Sequence, residues 1–132
     1  MTILTRARNS IILLFVSLLS GCGVEDLCSS SVLNTLVSPS GETKALIVQR
    51  DCGATTAMAY SVHVMATNEE PSERNIVFKS DMTEDISLAW RSDTTLIISY
   101  RKARIFNFTN FWQPSSGNPN KIIRVLEGDC RS

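Results

Sequence analysis

Three groups of residues in this 132-residue chain have types and spacing suited to chemistry. The first is Arg50-Asp51-Cys52-Gly53-Ala54-Thr55-Thr56. A cation, amides beside small residues and two hydroxyls suit an anion-binding turn. The same run suits a disulfide-pinned corner whose threonines bond local backbone, and the sequence favours that corner. The second group is Arg101-Lys102-Ala103-Arg104, followed by Phe106, Phe108, Phe111 and Trp112. Arg101, Lys102, Arg104, Phe108, Phe111 and Trp112 form the candidate binding surface, basic and aromatic, for sugars, anionic headgroups or a partner protein. The competing use is structural: aromatics filling one edge of a thin core, with the cations in a solvent-facing loop. Trp112 also borders a Pro/Gly loop, where binding residues often lie. The third group is the four cysteines.

Several chemistries find no support. His63 is the one histidine, which excludes any site needing two. It reads as a surface residue on the polar phase of a strand, and nothing brings Cys130 to it as a nucleophile. Glu69-Glu70 and Glu84-Asp85 read as acidic loops. No metal site, cofactor or catalytic residue is expected. Thirteen basic residues balance thirteen acidic ones, which argues against a nucleic-acid partner. A hydrophobic fraction of 43% and this length fit one globular domain.

The N-terminus reads as an export signal. Arg6 and Arg8 precede an apolar run over residues 11–19. Nine residues suit a signal h-region and are too few to span ~30 Å of hydrocarbon. Leu19-Ser20-Gly21-Cys22 then resembles the lipobox of bacterial lipoprotein precursors. The resemblance implies cleavage after residue 21, lipid on Cys22 and a membrane held through acyl chains. The alternative is an ordinary secretory signal with a coincidental cysteine. Gly23, in place of Asp, leans toward the outer membrane, facing the periplasm, in a Gram-negative cell. The mature chain of residues 22–132 would carry 11 basic and 13 acidic groups. Export also permits disulfides.

With Cys22 lipidated, Cys28, Cys52 and Cys130 remain. Ser38-Pro39-Ser40-Gly41 is a turn signal between apolar stretches at 32–37 and 44–49. A hairpin centred near residue 40 pairs positions whose numbers sum to about 80. That register places Cys28 opposite Cys52, within disulfide reach. Cys130 is left as a free thiol or a link to another chain.

The remaining chain alternates with period two and shows no convincing helical period. Tyr60, Val62, Val64 and Ala66 share one strand face; Ser61, His63 and Met65 share the other. Further strands are expected around 75–79, 86–91, 96–100, 105–112 and 121–126, with turns at 68–73, 92–94 and 113–120. The fold class is all-β, a small antiparallel sheet or sandwich of about seven short strands with one disulfide-pinned hairpin. The expected division is a signal over 1–21, a tether over 22–31, a β-domain over 32–127 and a tail over 128–132.

Asp26-Leu27-Cys28, the turn at 37–45 and Gln49-Arg50-Asp51-Cys52-Gly53-Ala54-Thr55-Thr56 together resemble a group of small exported bacterial proteins. Its members carry a Ser-Pro-Asp-Gly turn, an apolar strand and then Arg-Asp-Cys-Gly-Ala-Thr-Thr. Trp90, Ser92, Asp93, Leu96, Ile98 and Tyr100 extend the likeness to about residue 100. Ser40 stands where the group usually has Asp, which a type I corner tolerates. The resemblance supports the Cys28–Cys52 pairing and the β reading and assigns no chemistry.

The expected function is therefore a lipid-anchored cell-envelope protein, a non-enzymatic binding or structural module. Its partner would be an envelope protein or glycan. The alternatives are a periplasmic inhibitor or immunity protein, whose rigid hairpin would plug a cleft, and a hydrolase of envelope material.

Overall fold

The computed structural model describes residues 28–115 and 121–129. The lipobox, Cys22, the signal segment and Cys130 lie outside these residues. In chain order the strands are β1 (Ser29–Val37), β2 (Thr43–Asp51), β3 (Ala59–Ala66), β4 (Ile76–Glu84), β5 (Ser87–Ser92), β6 (Thr95–Tyr100), β7 (Lys102–Phe108), β8 (Phe111–Trp112) and β9 (Ile123–Asp129). One 3₁₀ turn, Glu73–Asn75, precedes β4. The fold is all-β. One sheet has the order β1-β2-β3-β4-β7, the other β5-β6-β9-β8. β1 begins inside the stretch read as tether, and β9 runs two residues past the expected domain end.

The first hairpin follows from its turn. Pro39 presets φ for a corner, and Gly41 takes φ +79°, which its missing Cβ permits. The Ser38 amide donates to Thr43 O at 2.8 Å, and the Gly41 amide to Ser38 O at 2.9 Å. The β1–β2 register then slips by one residue at Leu33. Beyond that bulge Ser29 faces Asp51, and Cys28 is disulfide-bonded to Cys52.

Alternation builds the core. Ala45 and Ile47 from β2, Val62 and Val64 from β3, and Phe78 from β4 turn inward. They meet Leu96 and Ile98 from β6, Trp112 from β8, and Ile123 and Val125 from β9. Phe78 and Tyr100 join the two sheets, their ring centroids 5.7 Å apart. Trp90 of β5 donates its indole N–H to Leu36 O of β1 at 2.9 Å. The hairpin tip is also tied down: the Ser40 amide donates to Asp93 Oδ1 at 2.5 Å, and Lys121 pairs with Glu42.

Three expectations are corrected. Among the described residues nine strands form where about seven were expected, and β6 pairs β9 in parallel. The parallel pair arises because β7 and β8 intervene between β6 and β9, so no hairpin obliges β9 to run against β6. The stretch 105–112 is not one strand: β7 closes the first sheet, and after Thr109-Asn110 the short β8 joins the second. His63 is not on the surface. It and Met65 are buried on the outer face of β3, where the segment 67–75 folds back over the sheet. Thr67 begins that cover, its hydroxyl donating to Gly41 O at 2.5 Å.

Candidate functional site

The expected basic–aromatic surface does not assemble as one face. Trp112 is only 7% exposed and belongs to the core, and Phe108 packs half-buried against it. Phe111, its neighbour in a strand, points the other way and is exposed. The cations are ion-paired or set in a strand. Arg101 bridges Glu84 at 2.7 Å and Asp85 at 3.0 Å, pinning the corner where the chain leaves one sheet and returns. Lys102 faces Glu84 in the β4–β7 register. Arg104 grips Asp81 with two N–H groups, the Nε bond being 2.7 Å, and lies 5.3 Å from the Phe106 ring centroid. That fork holds the Asp81 carboxyl below the ordinary carboxylate range. Glu84, which ends β4, and Asp85, read together from the sequence as an acidic loop, are thus partners for Arg101.

The Arg50–Thr56 run behaves as a pinned corner. Asp51 Oδ1 accepts the Gly53 amide at 3.0 Å, and Gly53 O accepts both the Thr56 amide and its hydroxyl. The Asp51 carboxylate thus takes the Gly53 amide that the anion-binding reading required.

A different site emerges on the outer face of the five-stranded sheet. A groove of about 310 Å³ runs across β2, β3 and β4. Val48 and Arg50 supply one wall, Ile76 and Lys79 the other, and Ala59, Ser61 and His63 the floor. Ser30 borders it from β1, Glu73 from the covering turn and Phe106 from β7. The strands dictate this set, because residues two apart on a strand share a face. Val48 faces Ser61 and Ser61 faces Lys79 across adjacent strands. Lys79 Nζ donates to Glu73 Oε2 at 3.1 Å.

His63 Nε2 lies 3.0 Å from Ser61 Oγ. Nδ1 is buried and makes no hydrogen bond of normal geometry. Burial pushes the imidazole pKa down from 6.5, and Lys79 acts in the same direction; the Ser72 backbone and Glu73 oppose it. At neutral pH the ring is therefore uncharged. A neutral His beside a Ser hydroxyl has the distance of a nucleophile–base pair. Glu73, the carboxylate that borders the same groove, is engaged by Lys79 and its side chain is 83% exposed.

Sequence reasoning named Arg50, His63 and Phe106 for other roles and did not single out Ser61 or Lys79. The signal was the second phase of β3, which looked solvent-facing. Among the described residues no three metal-ligating side chains converge, and no helix is long and apolar enough to cross a membrane.

No family model matches the chain, and neither a curated protein nor a solved structure does.

Proposed function

We propose that the chain is a lipid-anchored binding module of the bacterial cell envelope, held through Cys22 and engaging its partner with the groove over β2, β3 and β4. The groove is the observation that carries the reading. It combines apolar walls at Val48 and Ile76 with Ser61, Arg50 and Lys79, the mixture typical of sites that orient a small ligand. The lipobox supplies the anchor, and the likeness to small exported proteins agrees with that location. In a Gram-negative cell the site would face the periplasm from the outer membrane. The inhibitor reading gains nothing from the hairpin, whose tip is bonded to Asp93 rather than projecting.

Fractionation of cells carrying Cys22→Ala tests the anchor, and retention in the membrane fraction sinks it. Cross-linking in intact envelopes tests the groove. Wild type yields a discrete adduct with an envelope component, and Lys79→Glu loses it. An adduct unaffected by that change moves the binding site elsewhere.

A further inference from the structure

We infer that the end of the five-stranded sheet carrying Cys28 lies on the bilayer, with Met58 and Met82 entering its interfacial layer. This rests on the lipid-anchor reading and adds the surface of the fold that meets the lipid. Cross-strand pairing joins Ser30 to Arg50, Arg50 to Ala59 and Ala59 to Asp81, one row across β1 to β4. Beyond that row, toward one end of the sheet, stand the bonded Cys28 and Cys52. Met58 and Met82 lie next beyond the Ala59–Asp81 pair at the same end, 41% and 56% exposed.

The length of chain decides what this rim meets. Residues 23–27 separate Cys22 from Cys28, and six Cα steps reach at most about 20 Å. Cys28 to Met82 covers three strand spacings, about 14 Å. A lipid on Cys22 therefore holds the rim near the bilayer. The turn at Ser38–Gly41, beyond the far end of the nine-residue β1, stands about 30 Å away. Held that close, the rim needs only weak contacts to settle on the surface.

The side chains suit a boundary between water and lipid. Gly53 to Met58 carries no charge and is exposed throughout. Asp51 Oδ1 takes the Gly53 amide, and Gly53 O takes the Thr56 amide and hydroxyl. These bonds lower the cost of leaving water. Met82 has φ +50°, a left-handed conformation that strains a residue other than glycine. Thr83 holds the bulge, its hydroxyl bonded to Ser80 Oγ at 2.7 Å and to Asp81 O at 3.2 Å. The strained position thus presents a flexible apolar side chain outward. Nearby acids are engaged, Asp81 by Arg104 and Glu84 and Asp85 by Arg101. The contact therefore needs no anionic lipid.

Methyl nuclear magnetic resonance of the mature lipoprotein in phosphatidylcholine nanodiscs tests this, with a lipid that is paramagnetic at its headgroup. The chain from Cys22 onward has three methionines, Met58, Met65 and Met82, and the buried Met65 is the internal reference. The Met58 and Met82 methyls should broaden several-fold more than that of Met65, equally with and without anionic lipid. Phe111 is exposed and pairs through Arg124 with Thr95, at the opposite end of the second sheet. The methyl introduced by Phe111→Met should stay sharp. Broadening of Met58 and Met82 no greater than that of Met65, or stronger broadening at residue 111, overturns the contact. Shifts of Met58 and Met82 with protein concentration, without broadening, assign the rim to a second copy and also overturn it. A chain that does not enter the nanodiscs at all sinks the anchor reading, and the contact falls with it.

Discussion

Cys28 stands opposite Cys52 because β1 carries one extra residue, Leu33, between them and the turn. From Val37–Lys44 to Asn34–Ile47 the paired numbers sum to 81; from Val32–Val48 to Ser29–Asp51 they sum to 80. Without the bulge, Cys28 would face Gly53. A one-residue slip also reverses which face each side chain takes.

Deleting Leu33 should therefore keep the disulfide, because Val32 still pairs Val48 and Cys28 still faces Cys52, whereas deleting Ser31 moves Cys28 opposite Asp51 and should abolish the bridge, seen as two free thiols by non-reducing mass spectrometry after alkylation. Replacing Cys28 and Cys52 together by Ser should lower stability by about 3 kcal/mol on the chain-entropy model. Denaturant unfolding in oxidising buffer checks it; an unchanged midpoint would show that the bridge adds nothing.

Trp90 ties β5 to the edge strand β1 through Leu36 O. Trp90→Phe keeps an aromatic ring, though a smaller one, and removes the donor. The expected loss is about 1 kcal/mol, with faster amide exchange in β1. Unaltered exchange there would place the anchorage of β1 elsewhere.

Gly128 sits against β6, where an added Cβ would overlap Ser99 Oγ and stand 2.6 Å from Ile97 Cγ2. Gly128→Ala should cost about 1–3 kcal/mol. Calorimetry should show the loss, and Ser99→Gly in the same chain should restore part of it. A wild-type melting temperature in the single variant rules out this crowding.

His63 makes stability depend on pH. Its folded pKa lies below the ordinary 6.5, so the unfolded chain binds the proton more readily. Stability is complete above about pH 6.5 and falls as pH drops through that value toward the folded pKa. Ser61, Glu73, Lys79 and the Ser72 backbone face the ring and set the size of the effect. His63→Gln should flatten the profile between pH 7 and 5. The Asp81 carboxylate, held down by Arg104, acts lower, its contribution disappearing as pH falls below its ordinary 3.8. A profile equally steep without His63 would assign the titration to another group.

The sequence by itself determined the local matters. Period-two alternation specified strands, Ser38-Pro39-Ser40-Gly41 specified the first hairpin, and that hairpin brought Cys28 close to Cys52, the bulge at Leu33 completing the match. These depend on neighbours in the chain and on backbone stereochemistry. The tertiary structure alone decided which polar-looking positions are buried and which cations are occupied. His63 looked solvent-facing because its strand alternates, yet the segment 67–75 covers it. Arg101 and Arg104 looked like one basic patch with Trp112, yet long-range pairing gives the arginines to Glu84, Asp85 and Asp81 and sends Trp112 into the core. The groove arises the same way. Arg50, Ser61 and Lys79 are distant in sequence and meet because three strands align them on one face, a consequence of register between strands rather than of any local signal.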